Sequence, residues 1–193
     1  MKNYHISQII AGHQQKLLTI LLIGLLAVSN DTIAQNYRGQ DSTDKKILEV
    51  AKTVIGQAGI CAFISVDQEG RPRARMVETL PLDSNFIFWF GTNPRSRKVQ
   101  QIQNNHHVSL YYTEPYSTGY VLVEGIASLV NDSLSKATHW KDGWQTFYPD
   151  KKHDFVLIKV IPDWIEVVSY TSGIVGDQET WEPPRVIFHT DKP

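Results

Sequence analysis

Five runs of apolar and β-favouring residues crowd into the stretch between residues 61 and 130: CAFISVD, RARMVETL, NFIFWFG, HVSLYYTE and YVLVEGIASLV. Turn-forming QEGRP and PLDS separate the first three, and such punctuation between alternating runs marks short strands. Two further segments, DFVLIKVIP and WIEVVSY, close the sheet. About six strands with two or three helices at the connections predict a mainly β chain, an antiparallel β-barrel with peripheral helices. The helices are expected at 44–56, where Ile47, Val50, Ala51, Val54 and Ile55 form one stripe, at 94–104, and irregularly at 132–147. Gly125 interrupts the longest strand and reads as a bulge. The last twenty residues, with prolines 183–184, read as an extended tail.

The amino terminus has a different character. Residues 17–28, LLTILLIGLLAV, form an unbroken apolar run behind Lys16. Its length is short for a permanent span. Thr32 and Ala34 have the small-residue spacing of a cleavage site. The expectation is a signal peptide and cleavage region over 1–35 and a single domain over 36–193, exported to the periplasm or secreted from a bacterial cell. A retained membrane anchor is the alternative reading. Net charge is −1, which offers no electrostatic reason for a nucleic-acid partner. Cys61 is the only cysteine and lies in an apolar run, so a buried, inert thiol is expected.

The segment GTNPRSRKVQQIQNN at 91–105 carries a local conflict. Asn93-Pro94 reads as a helix start, yet Arg95, Arg97 and Lys98 crowd the first turn, where the helix dipole disfavours cations. A phosphate there would accept backbone N–H bonds and neutralise Arg97 and Lys98, with the Thr92 and Ser96 hydroxyls as further donors. Upstream, strand alternation puts Arg73, Arg75, Val77 and Thr79 on one face. Solvated arginines on an edge strand are the plain alternative.

EGRPRARMV (69–77), FGTNPRSRKVQQIQNN (90–105), VSLYY (108–112), YVLVEGIASLV (120–130) and WIEVVS (164–169) together resemble the pyridoxamine 5′-phosphate oxidase family, in its general stress protein-like branch. The resemblance implies a six-stranded antiparallel split barrel that binds FMN. It implies that Arg75, Lys98, Arg97 and Thr92 hold the FMN phosphate, and that the backbone at Met76 and Val77 lies along the isoalloxazine ring. It also implies a homodimer with the cofactor at the subunit interface. Departures are equally plain. Val167 and Val168 stand where the vitamin oxidase has a flavin-contacting tryptophan, Tyr120 replaces a polar flavin contact, and only Arg185 and His189 occur in the tail that should hold the vitamin's phosphate. The expected activity is FMN-dependent oxidoreduction of an unidentified small molecule, not pyridoxamine phosphate oxidation. A non-catalytic protein that sequesters flavin, deazaflavin or haem is the alternative.

Other chemistry is poorly supported by spacing. His106 and His107 are adjacent in a strand and point to opposite faces, and His139, Asp142 and His153 lack zinc-type spacing. Glu78 and Glu124 are the carboxylates available as general bases, and no acid–base residue stands out. If the leader reading holds, intact-mass analysis of the exported protein will show a chain beginning near Gln35, free of a stable membrane anchor. A full-length mass would overturn it.

Overall fold

The computed structural model describes residues 42–188 except 84 and 118. The leader expected at 1–35 and His189 lie outside the described residues. The chain divides into Met1–Asp44 and Lys45–Pro193, and every strand belongs to the second unit. No helix among the described residues is long and apolar enough to cross a membrane.

Helix α1 (42–58) buries Ile47, Ala51, Val54 and Ile55, spaced as one face of a helix. Gly59 ends it with φ +64°, its N–H on the Ile55 carbonyl at 3.2 Å. Strand β1 (Ile60–Val66) then alternates, burying Cys61, Phe63 and Ser65. A tight turn capped by the Asp67 carboxylate, which accepts the N–H groups of Glu69 and Arg71, leads into β2 (Pro72–Glu78). After β3 (Phe88–Thr92) come α2 (Arg97–Asn104), β4 (His107–Thr113), β5 (Gly119–Val130), α3 (Ser133–Thr138), β6 (Val156–Ser169) and β7 (Arg185–Ile187).

All pairings are antiparallel, and the strand order is β2-β1-β4-β5-β6-β3, with β7 on β6. Consecutive strands β2 and β3 therefore occupy the two ends of the path. The sheet does not close between them, which is the split of a split barrel. Phe63, Phe88, Phe90, Leu110, Tyr112, Val121, Ile158 and Ile165 fill the interior. Cys61 is fully buried as expected, and burial pushes its thiol up to about 11.

Several boundaries differ from the sequence reading. The two final segments are one 14-residue strand, β6, because Pro162 falls at an irregularity and costs no ladder bond. Register shifts between Glu124 and Gly125, so Asp163 has no partner on β5. The bulge expected at Gly125 is present, and a Cβ there would press on the Ile161 carbonyl. The irregular helix of 132–147 shrinks to α3 and one 3₁₀ turn at Trp144–Thr146. Helix α3 ends at Thr138, Gly143 at φ +88° opens the 3₁₀ turn, and Trp140, Trp144, Tyr148 and Phe155 pack together. The tail does more than extend: β7 pairs with β6 and buries Val186. Helix α2 begins at Arg97, three residues later than expected, because Asn93 and Pro94 form a turn.

Gly125→Ala is expected to lower stability by about 1–3 kcal/mol, the usual range for forcing an atom into a packed site. Urea unfolding measures it, and an unchanged midpoint would show that the Ile161 backbone yields freely.

Candidate functional site

Strand β3 delivers Thr92, buried, to the edge of the core. The chain then turns: Asn93 Oδ1 accepts the Arg95 N–H at 2.8 Å, and the Asn93 carbonyl accepts the Ser96 N–H at 3.0 Å. Asparagine and proline here serve a turn, a role both suit. Ser96 occupies the N-cap of α2, yet its hydroxyl makes no capping bond. It lies 3.3 Å from Thr92 Oγ1 instead. No acidic residue sits in the first turn. The first N–H groups of a helix lack intrahelical acceptors, so the start of α2 is left open to an anion.

Lys98 folds back over the turn and donates to Thr92 Oγ1 at 2.8 Å. Val99 and Ile102 anchor α2 in the core. Arg75 arrives from β2 across β1. Its Nη1 donates to Ser65 Oγ at 2.7 Å and to the Phe63 carbonyl at 3.3 Å, and its Nη2 donates to Gln101 Oε1 at 2.7 Å. Ser65 Oγ also donates to Gln101 Oε1 at 2.7 Å. The arginine is thus gripped from behind by neutral acceptors only.

Electrostatics separates this arginine from others nearby. Arg73 pairs with Asp67 at 2.6 Å, Arg95 with Asp154 at 3.0 Å and Arg185 with Glu166 at 3.6 Å. Arg75, Arg97 and Lys98 have no carboxylate within ion-pair distance among the described residues. Burial, and then the charge of Arg97, holds Arg75 below its ordinary range. Burial, and then Arg75, lowers Lys98 in the same sense. Each cation is costly as built, and a bound anion would remove that cost. Of the three cations read in the first turn, Arg95 leaves the cluster for Asp154. Arg73, on the same strand face as Arg75, leaves for Asp67.

The remaining expected positions lie along β2. Met76 is exposed on the outer face, and Val77 is half-buried opposite Cys61. Strand β2 pairs only with β1, so half of its backbone groups face away from the sheet, free to bond a planar heterocycle. The carboxylates weighed as bases are engaged: Glu78 with Lys141, and Glu124 with Ser109 Oγ at 2.6 Å. Tyr120 stacks on Tyr111 and donates to Glu166 at 2.9 Å, while Val167 is buried. Sequence reading missed Ser65 and Gln101. Their signal was a polar residue at an inward position of an otherwise apolar strand or helix stripe.

Comparison with curated protein sequences returns no match. Among solved structures, the fold is similar to the General Stress Protein 26 from Bacillus anthracis str. Sterne, at 22% identity and TM-score 0.57, covering 76% of this chain and 98% of that one. A protein related to general stress protein 26 from Clostridium acetobutylicum gives 22% identity and TM-score 0.58, with 66% and 90% covered. A heme binding protein from Mycobacterium smegmatis gives 16% identity and TM-score 0.53, with 62% and 53% covered. The family model for pyridoxamine 5′-phosphate oxidase matches residues 47–169, which takes in the split barrel from α1 to the end of β6 together with the cation cluster, and the chain belongs to that family.

Proposed function

We propose that the chain binds FMN and uses it as an oxidoreductase on a small molecule. The observation that carries this reading is the cluster of Arg75, Arg97 and Lys98, without carboxylate partners, at an uncapped helix start. The phosphate would be held by these three side chains, by the hydroxyls of Thr92 and Ser96, and by the N–H groups opening α2. The free edge of β2 at Met76 and Val77 would bond the ring edge. When bound, FMN supplies hydride transfer, and the protein supplies placement and electrostatics. Lys98 and Arg75 hold the phosphate, Ser65 and Gln101 hold Arg75, and β2 orients the ring.

Assembly belongs to the same proposal. The outward face of the sheet carries Ile60, Met76, Ile126, Ile161 and Ile187, each more than a third exposed. Apolar exposure across one face suits a second copy of this chain, in a homodimer that shares its cofactor sites, exported from the cytoplasm. Gel filtration should therefore give a dimer that withstands reductant, since the buried Cys61 has no part in it; a monomer would overturn the assembly.

FMN should bind far more tightly than riboflavin. Arg97→Ala or Lys98→Ala removes a charge-assisted bond of about 1.5–3 kcal/mol, roughly ten- to hundredfold in FMN affinity, with riboflavin affinity unchanged. Equal binding of FMN and riboflavin by the native protein would sink the phosphate reading. A Soret band in the protein purified from its natural compartment would replace flavin with haem.

Gln101→Glu offers an independent test of the neutral grip. A carboxylate at that position would pair with Arg75 and compete with the phosphate. FMN affinity is expected to fall by about tenfold or more, while riboflavin affinity and thermal stability hold. Parallel loss for both ligands would instead mark Gln101 as a packing residue.

A further inference from the structure

A second concave site lies beyond the carboxyl end of β2, and none of the phosphate-cluster residues lines it. It is a cleft of about 1170 Å³ walled by the end of α1 (Lys52, Ile55, Gly56), the β2–β3 connection (Glu78–Leu82) and the segment Thr138–Asp142 after α3. Small-molecule sites combine mostly apolar walls with a few placed polar groups. Ile55, Leu80, Pro81, Leu82 and Trp140 supply the walls here.

The polar groups are specific. His139 Nδ1 lies 3.0 Å from the Ser135 carbonyl, which can only accept, so Nδ1 carries the proton. In its neutral form the ring then offers Nε2 as an acceptor, and Nε2 has no hydrogen-bond partner among the described residues. The ring stacks on Trp89, centroids 4.0 Å apart and planes 27° from parallel, which fixes its orientation. Glu78 and Lys141 form an ion pair between two walls. Lys52, its ammonium 4.8 Å from the centre of the Phe86 ring, and Asp142 also line the cleft. The formal charges of Lys52, Lys141, Glu78 and Asp142 cancel. The cleft thus requires no net charge of its occupant, but it presents an oriented acceptor and an indole wall.

We infer that this cleft binds a planar, uncharged aromatic molecule bearing a phenolic O–H or ring N–H, donated to His139 Nε2. The inference rests on the flavin reading for its place beside the ring: Glu78 follows directly on Met76 and Val77, so the cleft continues the line of the proposed ring site. Fluorescence titration with 7-hydroxycoumarin tests it, using protein carrying whatever cofactor it retains.

Gly56 provides a plug. A Cβ built there meets nothing within 4 Å, and its φ is not in the left-handed region, so Gly56→Trp sends an indole into the cleft without disturbing the core. One probe is expected per chain, with affinity lowered at least tenfold in Gly56→Trp. His139→Phe, which keeps the stack and removes the acceptor, should lower it about fivefold. FMN affinity should be unchanged in both. Failure of the native protein to bind the probe, or undiminished affinity in Gly56→Trp, overturns the inference. The flavin reading is judged separately from FMN against riboflavin, so either can fall alone.

Discussion

The hydrogen bond from Arg75 to Gln101 ties the edge strand β2 to helix α2 across β1. Everything that distinguishes this site depends on that tie being neutral. Even the exposed arginines Arg73, Arg95 and Arg185 are met by carboxylates in this chain, whereas the half-buried Arg75 is not. Ser65 and Gln101 satisfy the geometry of the guanidinium and leave its charge uncompensated. Desolvation makes such a charge expensive, so the apo cluster is held in place by the stability of the surrounding barrel. The family fold supplies that stability through a continuous aromatic and aliphatic interior.

Sheet topology explains why the cluster forms where it does. Because β2 and β3 lie at opposite ends of the strand path, the turn after β3 and the face of β2 are free of ladder partners on one side. Helix α2 packs against β1 and β5, with Val99 and Ile102 inward and Lys98 folded back to Thr92. A closed barrel would have consumed the backbone groups of β2 that the split leaves available.

The 131–155 segment gives this chain its individuality. It folds as a short helix and a pack of four aromatic side chains against Leu80 and Leu157, and it places His139 and Trp140 over the end of β2. Gly91 on β3 lies directly beneath that pack, where a Cβ would strike Trp144 and Phe155. The missing side chain of Gly91 lets the aromatic annex sit close against β3.

The strands from Ile60 to Val130, the first helix, the Gly125 bulge and the burial of Cys61 were legible in the sequence, because period-2 and period-3.6 burial patterns are local properties. The cation set was legible too, since SRK after a β strand concentrates charge within a few residues. Which cations stay unpaired was not. Arg95 is one residue from Ser96 and two from Arg97, yet Asp154, fifty-nine positions away, decides its fate. Nor could local pattern reveal the partners of Arg75, because Ser65 and Gln101 meet it only once β1, β2 and α2 are packed. The strand-like tail at Arg185–Ile187, the joined β6 and the cleft over Glu78–Leu82 likewise depend on contacts between distant segments. Sequence by itself determined the elements and the charges; tertiary packing decided which charges meet a counter-charge, since that is a question of distance in space and not along the chain.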